Sequence, residues 1–374
     1  MKQWVAVAFA IAIGAAAEAL EARDGWEMSL SAVLTELVEE DAAPAAAIIV
    51  VRTDKPPLIQ VAGVKVADED APAVASDPWH IGSNMKAMTA TLAMGLVEDG
   101  VISLDTTIPD VLGSEMKIHD GWSRATLRML LSHRSGAAPN AGRLTALRYM
   151  LFGSEGVEGP SRDRRAVVTD TLRKPPETEP GAEYVYSNLG YTIAGAMLEA
   201  AARQPFESLI EERVFTPLAM EGVVLGAPSA EVGFRGHQGD PPSPAPAGAD
   251  NPFFMSPAGT FSYPLEAYAR FLEDQLRGHR GESALLSSGS YKALRTPVAN
   301  NNNYALGWGL SEEGWLRHSG SNTMWMVTTV IAPDRNIGIS ILSNSGEVRG
   351  LGERITRLIE AYPSATGKGD SVGE

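Results

Sequence analysis

The chain has 374 residues, 44% of them hydrophobic, enough to bury one large two-layer domain or two smaller domains that share an interface. Its 46 acidic and 31 basic residues give a formal net charge of -15, which makes it a poor partner for the phosphate backbone of nucleic acid. The absence of cysteine excludes disulfides and thiolate metal sites. The six histidines are scattered and form no His-Glu-x-x-His pair, so we expect neither a metal nor another cofactor.

The N-terminus has the pattern of a secretory signal peptide. Lys2 is followed by an apolar run that ends in Ala17-Glu18-Ala19, a small-residue cleavage pattern. The run is too short to span a bilayer comfortably, and a buried N-terminal helix is the alternative interpretation. We predict that residues 1–19 are removed on export, leaving a periplasmic or secreted protein without a membrane span.

The next elements are predicted from apolar periodicity. Apolar residues recur at helical spacing over residues 26–40, and two strand-like runs follow at 47–51 and 58–64. A turn is predicted between these strands at residues 55–57, Lys-Pro-Pro. Residues 83–97 then return to helical spacing with enough apolar positions to predict a buried helix.

The middle and the end of the chain differ in pattern. Residues 100–280 have mainly helical patterns and long loops, including a Pro-rich stretch at 239–250 whose role the sequence leaves open. Strand-like patterns return only after residue 303. The predicted elements are helices at 125–131, 190–202, 265–276 and 351–361, and strands at 304–310, 314–318, 324–332 and 338–344.

These patterns predict an α/β (α+β) fold. An antiparallel sheet built from both ends of the chain is flanked by the first and last helices and carries an inserted helical domain. The predicted α/β domain comprises residues 24–80 and 285–361, and the mainly helical domain comprises residues 81–284. The tail, residues 362–374, is predicted to be disordered.

Ser83-Asn84-Met85-Lys86 is a Ser-x-x-Lys tetrad at the start of the predicted buried helix. Residues three apart share a helix face, so the lysine amine can reach the serine hydroxyl and take its proton. The alternative is a helix cap at Ser83 with the lysine on a solvated face. A second tetrad, residues 114–117, lies in a stretch without sustained helical pattern, so the first is the better candidate for a nucleophile and base.

Two further segments carry groups suited to hydrolysis. Tyr186-Ser187-Asn188 is the only Tyr-x-Asn in the chain and precedes a predicted helix; a packed aromatic with Asn188 as a helix cap is the alternative. His318-Ser319-Gly320 ends a strand-like run, where a glycine lets a ligand approach the backbone; an ordinary edge-strand turn is the alternative. The only Gly-x-Ser-x-Gly lies in the polar tail, without a strand before it or a helix after it.

Taken in order, these motifs resemble the serine β-lactamase-related family, which comprises class C β-lactamases, low-molecular-weight penicillin-binding proteins and related esterases. The resemblance extends from about residue 30 to residue 361. It rests on residues 80–86 (HIGSNMK), 130–136 (LLSHRSG), 180–181 (PG) with 186–191 (YSNLGY), 306–309 (LGWG), 318–320 (HSG) and 342–344 (LSN).

The resemblance implies a β-lactamase/transpeptidase-like fold and a serine hydrolase that forms an acyl-enzyme on Ser83. In such an enzyme Lys86 and Tyr186 share the proton transfers, and Asn188 orients the substrate amide or the lysine. The backbone N–H groups of Ser83 and Ser321 form the oxyanion hole. The implied substrate-binding residues are Asn188, His318, Ser319, Gly320 and Ser321.

The sequence departs from the family pattern at His318, where many β-lactamases and transpeptidases have lysine. A histidine with an unperturbed pKa of about 6.5 has a pH-dependent charge, so it holds a substrate carboxylate less reliably. Alternatively it acts as a neutral donor. We also expect Met324 or Trp325 to narrow the cleft, because relatives have small residues there.

The expected substrate is a small molecule or a peptide, with a cell-wall origin as one option. The expected reaction is hydrolysis of an amide or ester in a D-amino-acid peptide, a short ester or a β-lactam. The alternative function is a non-catalytic or slowly deacylating cell-wall or penicillin-binding sensor of the same fold.

Overall fold

The computed structural model describes most of the chain. It covers residues 25–41, 43–156, 158–282, 285–298 and 303–363. The predicted signal peptide and residues 364–374 of the predicted disordered tail lie outside these ranges.

A six-stranded antiparallel sheet, made from both ends of the described chain, organises the fold, with strand order β2-β1-β11-β10-β9-β8. A three-stranded sheet, β3-β7-β4, and a two-stranded sheet, β5-β6, lie outside it. The strands of the described residues are β1 Ala45–Arg52, β2 Lys55–Gly63, β3 Trp79–His80, β4 Val224–Leu225, β5 His237–Gln238, β6 Ser243–Pro244, β7 Phe261–Tyr263, β8 Gly309–Leu310, β9 Leu316–Ser321, β10 Met326–Ala332 and β11 Ile337–Ser343.

Helices cover the sheet and form the rest of the fold. They are α1 (residues 25–35), α2 Met85–Glu98, α3 Ile108–Leu112, α4 Leu127–Leu131, α5 Arg143–Phe152, α6 Gly159–Leu172, α7 Asn188–Ala202, α8 Phe206–Ile210, α9 Ser256–Gly259, α10 Leu265–His279, α11 Ser288–Leu294 and α12 Leu351–Glu360.

Strand β1 is buried on both faces, which explains its continuous apolar sequence. Its alternate residues Ile48 and Val50 join a core formed with α1 and α12, and Ile49 and Val51 join the larger core that contains α2 and α10. The sheet is therefore the shared wall of two hydrophobic cores. Among the described residues, no helix has the length and apolar character needed to cross a bilayer.

The structure corrects two predicted boundaries. The turn between β1 and β2 falls at residues 53–54, and the predicted turn residues Lys55, Pro56 and Pro57 belong to β2. The predicted strand at 304–310 is reduced to β8, with Tyr304 in an isolated bridge. The division of the chain into an α/β domain and a helical domain at residues 81 and 284 stays a prediction.

Candidate active site

Ser83 lies in a single 3₁₀ turn, Gly82–Asn84, that leads into α2. Neither this turn nor the start of α2 has a side-chain cap, so the interpretation of Ser83 as a helix cap is wrong. Ser114 and Lys117 of the second tetrad are exposed and lie outside any helix. Of the two tetrads, only the first therefore leads into a buried helix.

Three glycines from distant segments allow the backbone around Ser83 to pack closely. A Cβ on Gly320 would lie 2.2 Å from the Ile81 carbonyl oxygen and 2.7 Å from the Ser83 nitrogen. A Cβ on Gly82 would lie 2.6 Å from the Ser321 nitrogen, and one on Gly259 would lie 2.5 Å from the Gly82 oxygen. Such distances exclude any side chain. The end of β9 thus crosses the turn that holds Ser83 in direct contact. At Gly320 the group that approaches closely is the backbone of residues 81–83.

Lys86 is fully buried, so its interpretation as a solvated side chain is wrong. Its Nζ lies 2.9 Å from Ser83 Oγ, 2.7 Å from Asn188 Oδ1 and 2.7 Å from the Ala258 carbonyl oxygen. Burial lowers the pKa of Lys86 well below its usual value, because desolvation penalises the ammonium form. In the neutral amine, two N–H groups serve the two carbonyl oxygens, and the lone pair faces the serine hydroxyl.

Asn188 is free to contact Lys86 because its neighbour caps the helix. Ser187 Oγ accepts a hydrogen bond from the Gly190 N–H at the start of α7, at 2.7 Å. The Asn188 amide then donates to Asn140 Oδ1 at 2.8 Å and presents its oxygen to the lysine. The alternative in which Asn188 itself caps α7 is therefore wrong.

Tyr186 lies beside the serine and the lysine. Its ring centroid is 5.0 Å from Lys86 Nζ. Although the Tyr186 side chain is 36% exposed, desolvation of its hydroxyl raises the pKa of Tyr186 above its usual range, and a hydrogen bond with the Ser83 side chain opposes this shift. The phenol is therefore protonated at neutral pH and able to donate a proton.

His318 belongs to a chain of hydrogen bonds that sequence reasoning missed. The Ser187 N–H donates to His133 Nδ1 at 3.0 Å, so His133 Nε2 carries the proton that faces Tyr304 Oη at 3.1 Å. At the other end, His318 Nδ1 faces the Ser319 carbonyl oxygen at 3.0 Å and must be its donor. His318 Nε2 is then the acceptor for the Tyr304 hydroxyl, at 3.3 Å.

Burial lowers the pKa of His318 to about 3, with a smaller contribution from Lys86 in its ammonium form, so His318 is neutral at physiological pH. The expectation of a pH-dependent charge near neutrality is therefore wrong. Because both ring nitrogens of His318 are already bonded, it also offers no free donor to a substrate. The geometry does not support either role suggested for this side chain.

The remaining predicted residues lie on β9. Ser319 is on the strand face opposite His318, where its Oγ is 2.9 Å from Thr328 Oγ1. Ser321 Oγ accepts from the Thr323 N–H at 2.9 Å, and its own nitrogen lies against the nucleophile turn. Trp325 is 1% exposed and packs edge-on against Phe234 in the core, so the expectation that it narrows the cleft is wrong.

A cavity of about 920 Å³ adjoins this site. Tyr184, Tyr186, Tyr304 and His318 line one end of it, and from there it continues past β9 to the start of α12. The site therefore has room for a group larger than a small ester on its tyrosine side. Within the described residues, no three acidic or histidine side chains are grouped so that they could hold a metal ion.

The antiparallel sheet, its flanking helices and the serine-lysine-tyrosine cluster define a β-lactamase/transpeptidase-like serine-hydrolase fold. This confirms the predicted fold class. The sequence model of the Beta-lactamase family matches residues 30–362, and the chain belongs to that family. The resemblance inferred from the motifs is thereby confirmed.

Individual relatives are distant. Penicillin-binding protein 4 of Amycolatopsis lactamdurans is 27% identical over 291 residues, 72% of each protein. Protein flp of Staphylococcus aureus strain MW2 is 21% identical over 340 residues, 89% of this chain, and the chain spans only 65% of its length.

Among solved structures, the D-amino acid amidase from Ochrobactrum anthropi SV3 superposes with a TM-score of 0.73 at 19% identity, covering 90% of this chain and 98% of that one. A D-alanine carboxypeptidase from Burkholderia cenocepacia gives a TM-score of 0.71 at 20% identity, covering 91% and 98%. At these identities the likeness shows the fold alone.

Proposed function

We propose that this protein is a serine hydrolase that cleaves an amide or ester through an acyl-enzyme on Ser83. The observation that carries the proposal is the environment of Lys86. Two carbonyl oxygens occupy two of its hydrogen-bonding directions, and the third is directed at Ser83 Oγ. A buried amine with a lowered pKa in that arrangement is a general base for the serine.

In the proposed acylation, the Ser83 proton passes to Lys86 Nζ while Oγ bonds to the substrate carbonyl carbon. The carbonyl electron pair moves onto oxygen, where the N–H groups of Ser83 and Ser321 stabilise the charge. When the bond to the leaving group breaks, the departing nitrogen or oxygen takes the Tyr186 proton, and the Lys86 ammonium restores it. Water then attacks the acyl-enzyme and loses a proton to the same pair, Lys86 and Tyr186. When the acyl bond breaks, that pair returns a proton to Ser83 Oγ.

The proposed substrates are short esters and D-amino-acid amides or peptides. His318 is neutral and bonded through both ring nitrogens, so β9 offers no fixed cation at the position where many relatives hold a substrate carboxylate. Substrates that rely on such a carboxylate, including most β-lactams, are expected to be poorer. The cavity beyond Tyr186 supports a peptide-sized leaving group, and the N-terminal pattern supports a periplasmic or secreted location.

Intact-protein mass spectrometry tests this function. The mature chain is mixed with p-nitrophenyl acetate, a D-alanine anilide and benzylpenicillin, beside Ser83→Ala and the exposed control Ser114→Ala. We expect turnover of the ester or the amide, a transient acyl adduct in the wild type and the Ser114 variant, and neither in Ser83→Ala. An adduct that persists without turnover on every substrate would overturn the hydrolase in favour of a sensor. Absence of any Ser83-dependent adduct or turnover would overturn both.

A further inference from the structure

Helix α5 exposes an unusual apolar side. Leu144, Leu147 and Leu151 recur at i, i+3 and i+7, and they are 83%, 50% and 64% exposed. Nothing in the helix is buried, and its inner side is held mainly by the half-buried Tyr149, whose ring packs edge-on against Phe254. Within the described part of the chain, no segment covers this leucine side.

The charged residues of this helix are opposite in sign to the net charge of the whole chain. Residues 143–152 contain two arginines, Arg143 and Arg148, and no acidic residue, in a chain of net charge -15. By helical geometry, Arg143 and Arg148 lie on the two flanks of the leucine side, and neither forms an ion pair with a described carboxylate. Exposed leucines beside unpaired arginines suit contact with the headgroup region of an anionic bilayer.

We propose that α5 is a docking surface for an anionic phospholipid membrane. The leucines enter the headgroup boundary, and Arg143 and Arg148 pair with lipid phosphates. The rest of the acidic chain is screened beyond about 10 Å at ordinary salt, so its repulsion weakens the binding without preventing it. Since α5 begins three residues after Asn140, which contacts Asn188, docking holds the site mouth near the bilayer.

Vesicle sedimentation with the mature chain tests the docking surface. Vesicles of phosphatidylcholine with about 30% phosphatidylglycerol are compared with phosphatidylcholine alone, and anionic vesicles are expected to bind more, less so at high salt. Leu147→Glu/Leu151→Glu should lower binding at least about tenfold. Arg143→Gln/Arg148→Gln should abolish the preference for anionic lipid. Met28→Glu, at an exposed residue of α1, is the matched control and should bind like the wild type.

Circular dichroism and ester hydrolysis without vesicles establish that the leucine variant is folded. Equal binding by the wild type and the leucine variant would overturn the proposal. The proposal would also be overturned if the wild type did not bind vesicles and instead formed a dimer, detected by analytical ultracentrifugation, that the leucine variant cannot form. Ser83→Ala should bind vesicles normally, which separates this proposal from the proposed function.

A second, independent observation concerns Asp250, at the end of the Pro-rich stretch. Its carboxylate is buried and lies 2.9 Å from His80 Nε2 and 2.9 Å from Asn322 Nδ2. His80 Nδ1 accepts the Gly82 N–H at 3.1 Å, so its other nitrogen is protonated and donates to the carboxylate. One side chain thus connects the turn before Ser83 with the residue after Ser321.

We infer that Asp250 is a positioning residue for the two backbone N–H groups of the proposed oxyanion hole, an inference that rests on the proposed function. Through His80 it fixes the turn that orients the Ser83 nitrogen. Through Asn322, whose Oδ1 accepts the N–H groups of Met324 and Trp325, it fixes the end of β9. Its effect is therefore expected in the transition state, where the oxyanion exists, more than in substrate binding.

Asp250→Asn tests this role, because an amide cannot accept from His80 and Asn322 together. We expect kcat to fall roughly tenfold to a hundredfold with KM changed less than about threefold. The reversed pair Asp250→Asn/Asn322→Asp lets the new amide accept from His80 and donate to the new carboxylate. It should recover part of kcat, because the Asn251 N–H, which donates to Asp250 Oδ1 at 2.7 Å, loses its acceptor.

Unchanged kcat in Asp250→Asn, or no recovery in the reversed pair when both variants are folded by thermal unfolding, would overturn the positioning role. The positioning role would also be contradicted if Asp250→Asn lowered both kcat and the melting temperature and the reversed pair restored one of them without the other. If the wild type itself lacks Ser83-dependent turnover, the proposed function fails, which is a distinct result.

Discussion

Ser83→Ala is expected to lower kcat/KM for the best ester or amide substrate by roughly a thousandfold to a millionfold, since it removes the atom that forms the acyl bond. Its free energy of unfolding should change by less than about 1 kcal/mol, because the hydroxyl is only half-buried. The measurement is steady-state hydrolysis beside urea denaturation of the same samples.

The second tetrad supplies the matched control for this variant. Ser114 is exposed and in a turn, so Ser114→Ala should keep both wild-type activity and wild-type stability. Retention of wild-type activity by a folded Ser83→Ala protein would rule out this residue as the nucleophile.

Lys86→Met is expected to reduce the rate of acylation about as strongly as Ser83→Ala does, because the serine loses its base. It should also change how stability depends on pH. The unfolded lysine binds a proton below about pH 10.4, whereas the buried lysine stays neutral down to its lowered pKa. In that window the unfolded state binds more protons, so the wild type loses stability as pH falls, at up to about 1.4 kcal/mol per pH unit from this group.

The variant lacks this contribution, so the difference in unfolding free energy between Lys86→Met and the wild type should move in favour of the variant as pH falls through that window. Urea denaturation at several pH values from 6 to 10 measures it, with Lys117→Met at the exposed second tetrad as the control. A difference that does not vary with pH would show that Lys86 is charged in the folded protein, and would contradict its role as a neutral base.

The same groups predict the acid limb of the activity profile. Activity should fall as pH drops through the pKa of Lys86, with no separate break near 6.5 from His133 or His318, whose pKa values are both lowered by burial.

The sequence was sufficient for the parts of the site that lie close together along the chain. Ser83 and Lys86 are separated by one helical turn, and the apolar spacing of α2 predicts its burial. Ala258 was missed because its contribution is a backbone carbonyl, which has no residue signature. Tyr304 and His133 were missed as a hydrogen-bonding pair because only tertiary packing brings them together.

The misplaced hairpin turn has a local cause. Lys55-Pro56-Pro57 resembles a turn by composition, yet β2 is an edge strand with a register irregularity opposite Val50–Arg52. Proline is tolerated at such an edge because one side of the strand needs no ladder hydrogen bond. Edge position is a property of the completed sheet, which apolar alternation alone does not specify.

The crossing of β9 over the Ser83 turn has a consequence for the order in which the protein matures. During synthesis, Ser83 and Lys86 emerge early, and the turn that holds Ser83 and the start of α2 can form at once, but Gly320 and Ser321 follow only after most of the chain has been made. Contacts of such long sequence separation form late and slowly. A nascent or truncated chain that ends before residue 316 therefore contains the nucleophile and its base without the strand that positions them.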